Sequence, residues 1–112
     1  MIKWPVLIKH HGNDELTYVA SESEWNSNAD LSAVDYGSGD ALIDNNGRIY
    51  KLNNKLQGIV QPIAANDKIT LYQCIQLVQR HAALNGECCV EKIVFRSIIE
   101  GIDLVASIDE NS

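Results

Sequence analysis

No run of apolar residues in this chain approaches the ~20 that a bilayer-spanning helix needs, so a membrane-spanning role is not expected. Phenylalanine and methionine occur once each and proline twice. No internal repeat, low-complexity tract or linker is present. Basic charge is the minority sign: nine Lys and Arg stand against 15 Asp and Glu, a net charge of −6. An acidic surface repels phosphate backbones, which argues against nucleic acid as a partner. Three cysteines with no C-x-x-C spacing give neither a disulfide framework nor a spaced metal motif. G-x-S-x-G and H-E-x-x-H are both missing. Gly37-Ser38-Gly39 lacks the third glycine and the Lys-Ser/Thr pair of a phosphate loop. No cofactor is expected, and the sequence leans away from an enzyme.

What is present is ordinary globular material, 46% hydrophobic and 21% charged. A chain of 112 residues buries roughly two-thirds of its unfolded surface and can build a core without disulfides. The expectation is one domain over residues 1–112. The opening MIKWPVLIKHHG has a lysine and a brief apolar run. Lys9 and two histidines stop that run short of a signal-peptide core, and no small-residue cleavage site follows. The implied location is cytoplasmic. Charge is uneven: residues 48–68 hold Arg48, Lys51, Lys55 and Lys68 against one acid, Asp67, in an otherwise acidic chain.

Along the chain, WPVLIKH (4–10) and ELTYVAS (15–21) are β-rich runs around HGND, where Gly12 and Asn13 suit a tight connection. Pro5 places its strand at an edge or at its own first residue. SESEWNSNADLSAVDYGSGD (21–40) reads as a long polar loop, with Ser21 or Ser23 capping one helical turn around Trp25. ALIDNNGRIYKLN (41–53) has two apolar runs about Asn-Asn-Gly, a hairpin signal. GIVQPIAA (58–65) is a further strand, at an edge or a bulge because of Pro62. KITLYQCIQLVQRHAALNG (68–86) is a helix. Thr70 and Gln73 form its capping box. Leu71, Cys74, Ile75, Val78 and Ala82 form its apolar stripe, and Gly86 stands at C′. ECCVEKIVF (87–95) reads as a strand. RSIIEGIDLVASIDE (96–110) is a helix capped by Ser97 and Glu100, the alternative being a hairpin at Glu100-Gly101.

The fold class is therefore α+β: a single two-layer domain, a mostly antiparallel sheet with two helices, in the order β-β-(loop)-β-β-β-α-β-α. One detail resists a sheet with a wet face. Val6 and Ile8 share one side of the first strand while Leu7 takes the other, and Leu16 and Tyr18 oppose Val19. Either segment 21–40 covers the second face or another chain does.

Four features invite chemistry. Cys88 and Cys89 diverge if they lie on a strand, so they cannot share one zinc. Free cysteine is among the most buried residue types, so Cys74 and one of the pair are expected in the core. The vicinal pair could close a disulfide only if a strained turn replaced the strand. His10 and His11 diverge likewise; a composite zinc site of His10, His81 and a cysteine is a minor third reading. Asp44-Asn45-Asn46-Gly47 echoes a calcium loop, but Leu42 and Asn53 occupy the places of its first and last acids, and a hairpin turn is the better account. Trp25 and Tyr36 lie in the polar segment and serve either as binding anchors or as plugs over the sheet.

WPVLIKH, the acidic turn into ELTYVAS, and the late helix followed by CCVEKIVF together resemble a small family of marine gammaproteobacterial proteins of unknown function. The resemblance implies a bacterial cytoplasmic protein with a single α+β domain. It carries no activity and no site residues. The leading functional expectation is a non-catalytic protein-interaction module, with self-association as a homodimer included. The alternative is a small-ligand domain or minor enzyme with a pocket under residues 21–40, lined by Trp25, Tyr36 and Gly37–Asp40.

Overall fold

The computed structural model describes residues 1–110. Two strands, β1 (Val6–Lys9) and β2 (Leu16–Val19), pair antiparallel. The chain then makes two short helices, α1 (Glu22–Ser27) and α2 (Ala29–Ser32). β3 (Ala41–Ile43) and β4 (Arg48–Lys51) form a hairpin. A small separate hairpin follows, β5 (Lys55–Leu56) with β6 (Ile59–Val60), and then β7 (Ile63–Lys68). The long helices α3 (Leu71–Leu84) and α4 (Ile98–Glu110) complete the domain. The main sheet runs β2-β1-β3-β4-β7, and every neighbouring pair is antiparallel.

Strand alternation makes the sheet apolar on both sides. Leu7 and Leu16 face α3 and α4, where Cys74, Val78, Ala82, Ile102, Val105 and Ile108 close a first core. Val6, Ile8, Val19, Leu42 and Tyr50 face the other way, into a second core completed by Trp25, Tyr36, Leu52 and Val60. Segment 21–40 thus covers the face that the sequence left open. Ser21 caps α1 by accepting from the Glu24 N–H at 3.1 Å. Asn28 caps α2 through the Asp30 N–H at 2.9 Å.

The long helices start and stop where local chemistry says they should. Thr70 Oγ1 accepts from the Gln73 N–H, and Gln73 Oε1 accepts from the Thr70 N–H. At the other end Gly86, at φ 82°, donates to Ala83 O, and the Glu87 N–H donates to Ala82 O. That is a Schellman ending. Ser97 Oγ accepts from the Glu100 N–H, so 96–110 begins a helix and does not turn at Gly101. Gly101 has a packing reason. A Cβ there would stand 2.5 Å from Cε1 and Cζ of Phe95 and 3.2 Å from Cys74 Sγ.

Three expectations need correction. Segment 21–40 holds two short helices, α1 and α2, where one helical turn in a loop was expected. GIVQPIAA is broken at Pro62 into β6 and β7. More importantly, 87–95 is not a strand. It contains a 3-10 turn at Val90–Lys92, preceded by Cys89 in the left-handed region at φ 58°. Helix geometry explains why. Gly101 lies against Cys74 and Asp109 against His81, so α3 and α4 run parallel. The chain leaving α3 must therefore travel back about 21 Å, the length of fourteen helical residues, before α4 can begin. Residues 87–97 make that return beside α3. Gln79 Nε2 donates to Ile93 O at 3.0 Å, and Phe95 is buried in the helical core. Ile93, past the 3-10 turn, lies in the extended region, and its carbonyl takes a helix side chain rather than a sheet partner.

Candidate functional site

Trp25 and Tyr36 come together, both buried. Their rings stack at 6.4 Å, and the His10 ring stacks on Tyr36 at 5.6 Å. The Tyr36 hydroxyl donates to Leu31 O at 2.7 Å. Burial, with some help from Asp40, pushes its ionisation up to about 12. Trp25 also lines a cleft of about 300 Å³ with Ile2, Trp4, Glu22, Ile59 and Pro62. Tyr36 and residues 37–40 do not reach that cleft.

Asp40 clasps the end of this segment to the end of β1. Its Oδ1 accepts from the His11 N–H and its Oδ2 from the Gly37 N–H, each at 2.8 Å. His10 Nδ1 stands 3.5 Å from Oδ2. Burial alone would raise the carboxyl, but those two backbone donors and His10 outweigh it and leave Asp40 below the usual range. His11 lies over Gly39, where a Cβ would meet its ring at 2.7 Å. Both oxygens are engaged by backbone donors, so the group reads as a loop clasp.

The other candidate residues separate. Asp44 is buried and binds backbone: Oδ1 accepts from the Asn46 and Arg48 N–H groups, Oδ2 from the Lys3 N–H. It organises the β3–β4 turn. His81 is fully buried on α3, which packs on one face of the sheet, whereas His10 stacks on Tyr36 in the core of the other face. Its Nδ1 accepts from the Leu16 N–H at 3.0 Å, which leaves the ring proton on Nε2 to donate to Asp109 Oδ1 at 2.8 Å. The structure does not bring His10, His81 and a cysteine together. Among the described residues, no group of three or more His, Cys, Asp or Glu side chains is placed to hold a metal. Cys74 is buried, and burial pushes its thiol up to about 11. Cys88 and Cys89 are both exposed, against the expectation that one of them packs in the core, because the segment turns where a strand was expected.

The two edges of the sheet differ, a feature that strand patterning did not reveal. At the β2 edge the Leu16 N–H is taken by His81, and the Ala20 N–H just beyond by Glu24 Oε2. β7 pairs with β4 on one side and, among the described residues, has no strand on the other. Ile63 is paired with Lys51 and Lys68 with Arg48, with a register shift between. Five of its six residues are exposed, Ile63 among them. Leu56 and Ile59 of the adjoining β5–β6 hairpin are exposed as well. Lys51 lies at the Ile63 end of this edge and Arg48 at the Lys68 end, where Asp67 is also exposed. The hairpin is tied down separately: Lys55 Nζ donates to Ala33 O and to Asp35 Oδ1, which lowers the Asp35 carboxyl.

A family model, DUF4144, described as a protein structure with unknown function, matches residues 4–105. The chain belongs to that family. A DUF4144 assignment brings no activity with it, and among curated proteins nothing matches. A similar solved structure is the NMR structure of a protein from Shewanella amazonensis. It is 24% identical, with a TM-score of 0.68, and the match covers 96% of this chain and 90% of that one. That likeness supports the α+β architecture of this chain. Among the described residues no helix is long and apolar enough to cross a membrane.

Proposed function

We propose that the chain is a non-catalytic protein-interaction module that takes an extended acidic segment of a partner protein onto the outer edge of β7. The observation that carries this is the asymmetry of the sheet: one edge has its Leu16 and Ala20 donors capped by side chains, while the other carries no strand among the described residues and is flanked by Arg48, Lys51 and Lys68. An open edge offers main-chain hydrogen bonds, and flanking charge selects what pairs with it. The register shift separates the Ile63 and Ala64 pairs from the Lys68–Arg48 pair, and a shifted register interrupts strand addition, so Ile63–Ala65 is the stretch that would take the partner. Edge-to-edge pairing of two copies would set these basic groups against each other, so the partner is another protein and not a second copy at this edge. A bacterial cytoplasmic setting, within marine gammaproteobacteria, belongs to the same reading; the source of the similar structure and three free cysteines support it.

A ten-residue peptide of alternating Glu and Val tests this. It should bind, weaken at higher salt, and lose about ten-fold or more in affinity (1.4 kcal/mol) against a Lys51→Glu/Lys68→Glu protein. Equal binding by a peptide of the same composition interrupted by proline would overturn strand addition. A second reading rests on the cleft beside Trp4 and Trp25, which is at the small end of ligand-site size. Retention of a small molecule through gentle native mass spectrometry, lost in Trp4→Ala, would favour it.

A further inference from the structure

We propose that Cys88 and Cys89 form a vicinal dithiol that exchanges with small-molecule disulfides and closes into a reversible ring disulfide. The pair sits in the return segment between the long helices, and both thiols are exposed. That is unusual, since free cysteine is normally among the most buried residue types. The segment is a turn: Cys89 has φ 58° and ψ 38° and leads into the 3-10 turn, whose Lys92 N–H donates to Cys89 O at 2.9 Å. Strand pleating forces neighbouring side chains to opposite faces, and a left-handed residue removes that constraint. The third thiol, Cys74, is sealed in the helical core and cannot compete. On the far side Val90 is packed against that core, so ring closure acts on a turn anchored at the helices.

The exchange balances without a further reagent. A thiolate of one cysteine attacks the small disulfide, giving a mixed disulfide and one released thiolate. The neighbouring cysteine's thiolate then attacks the protein sulfur of that mixed bond, forming Cys88–Cys89 and expelling the second thiolate. Two electrons pass from the pair to the small disulfide, and both protons end on the released thiols. Neighbouring Cα atoms stand ~3.8 Å apart, closer than the ~4.4–6.8 Å of ordinary disulfides. The ring is therefore strained and readily reopened, which places it with labile disulfides and not structural ones.

The test is intact mass after incubation of the full chain with oxidised glutathione. The expected product is a monomer lighter by two hydrogens, with Cys88 and Cys89 both closed to iodoacetamide and restored by a mild monothiol. Cys88→Ser and Cys89→Ser should each stop at one stable glutathione adduct. Phenylarsine oxide should bind the wild type one to one and bind either single variant at least ten-fold less. Stable glutathione adducts on the wild type, with no species lighter by two hydrogens, would overturn the proposal. So would a disulfide-linked dimer as the main product.

Discussion

Replacing Gly101 by alanine sets helix propensity against packing, and the two predict opposite signs. On propensity alone, alanine inside α4 should stabilise by about 1 kcal/mol. The structure adds a methyl where there is no room: 2.5 Å from two ring atoms of Phe95 and 3.2 Å from Cys74 Sγ. Cys74 is essentially inaccessible, and Phe95 is 9% exposed. Relief must come from the ring. Overpacking of this kind costs about 1–3 kcal/mol, and swinging the ring out instead forfeits part of the ~1.5–3 kcal/mol that burying a Phe is worth. The net expectation is a destabilisation of about 1 kcal/mol, or about 4 °C in Tm. Urea unfolding should show a lower midpoint at unchanged m. Phe95→Leu alone should also destabilise, but Phe95→Leu/Gly101→Ala should lose less than the two single losses together, because the smaller side chain makes room. A Gly101→Ala protein as stable as the wild type, or more stable, would refute this packing of α4.

His81→Leu should cost about 1–3 kcal/mol in urea unfolding, because the buried Leu16 N–H loses its acceptor and gains none; a loss under about 1 kcal/mol would deny the bond. Tyr50 carries a buried hydroxyl with no partner among the described residues, so Tyr50→Phe should leave stability equal or slightly higher, checked by thermal melting. Asp40 is held below the ordinary carboxylate range, so its stabilisation is fully present above about pH 3.8 and is lost as pH falls through its lower folded-state value. Asp40→Asn should therefore flatten the acid limb of the stability curve; an unchanged limb contradicts the clasp. A colorimetric thiol reagent should find two fast thiols, Cys88 and Cys89, and a third only on unfolding, since Cys74 is buried with its ionisation pushed up to about 11.

Much of the fold is local and was legible for that reason. Thr70 with Gln73 and Ser97 with Glu100 mark helix starts through side chains within four residues of the backbone they satisfy, and Gly86 marks a helix end through its own backbone. Asp44 to Gly47 marks a hairpin in the same way. The alternation of Leu7 against Val6 and Ile8 announced a sheet apolar on both faces, and the cover turned out to be segment 21–40 of the same chain. What failed was non-local. Residues 87–95 have the composition of a strand, but whether an extended segment joins a sheet depends on where the helices put it. The parallel packing of α3 and α4, seen in Gly101 against Cys74 and Asp109 against His81, is invisible in sequence. The candidate site shows the same limit. Trp25 and Tyr36 stood out as aromatics in a polar stretch. The open β7 edge could not be read, because strand order and the capping of Leu16 by His81 are long-range facts.

Backbone amide hydrogen exchange, with and without the Glu–Val peptide, tests the open edge most directly. The Leu16 amide, bound by His81, should exchange slowly throughout. The outward amides of Ile63–Ala65 should exchange fast in the free protein and become protected as peptide is added. Slow exchange at both edges without peptide, or peptide protection that falls anywhere but β7, would contradict the account.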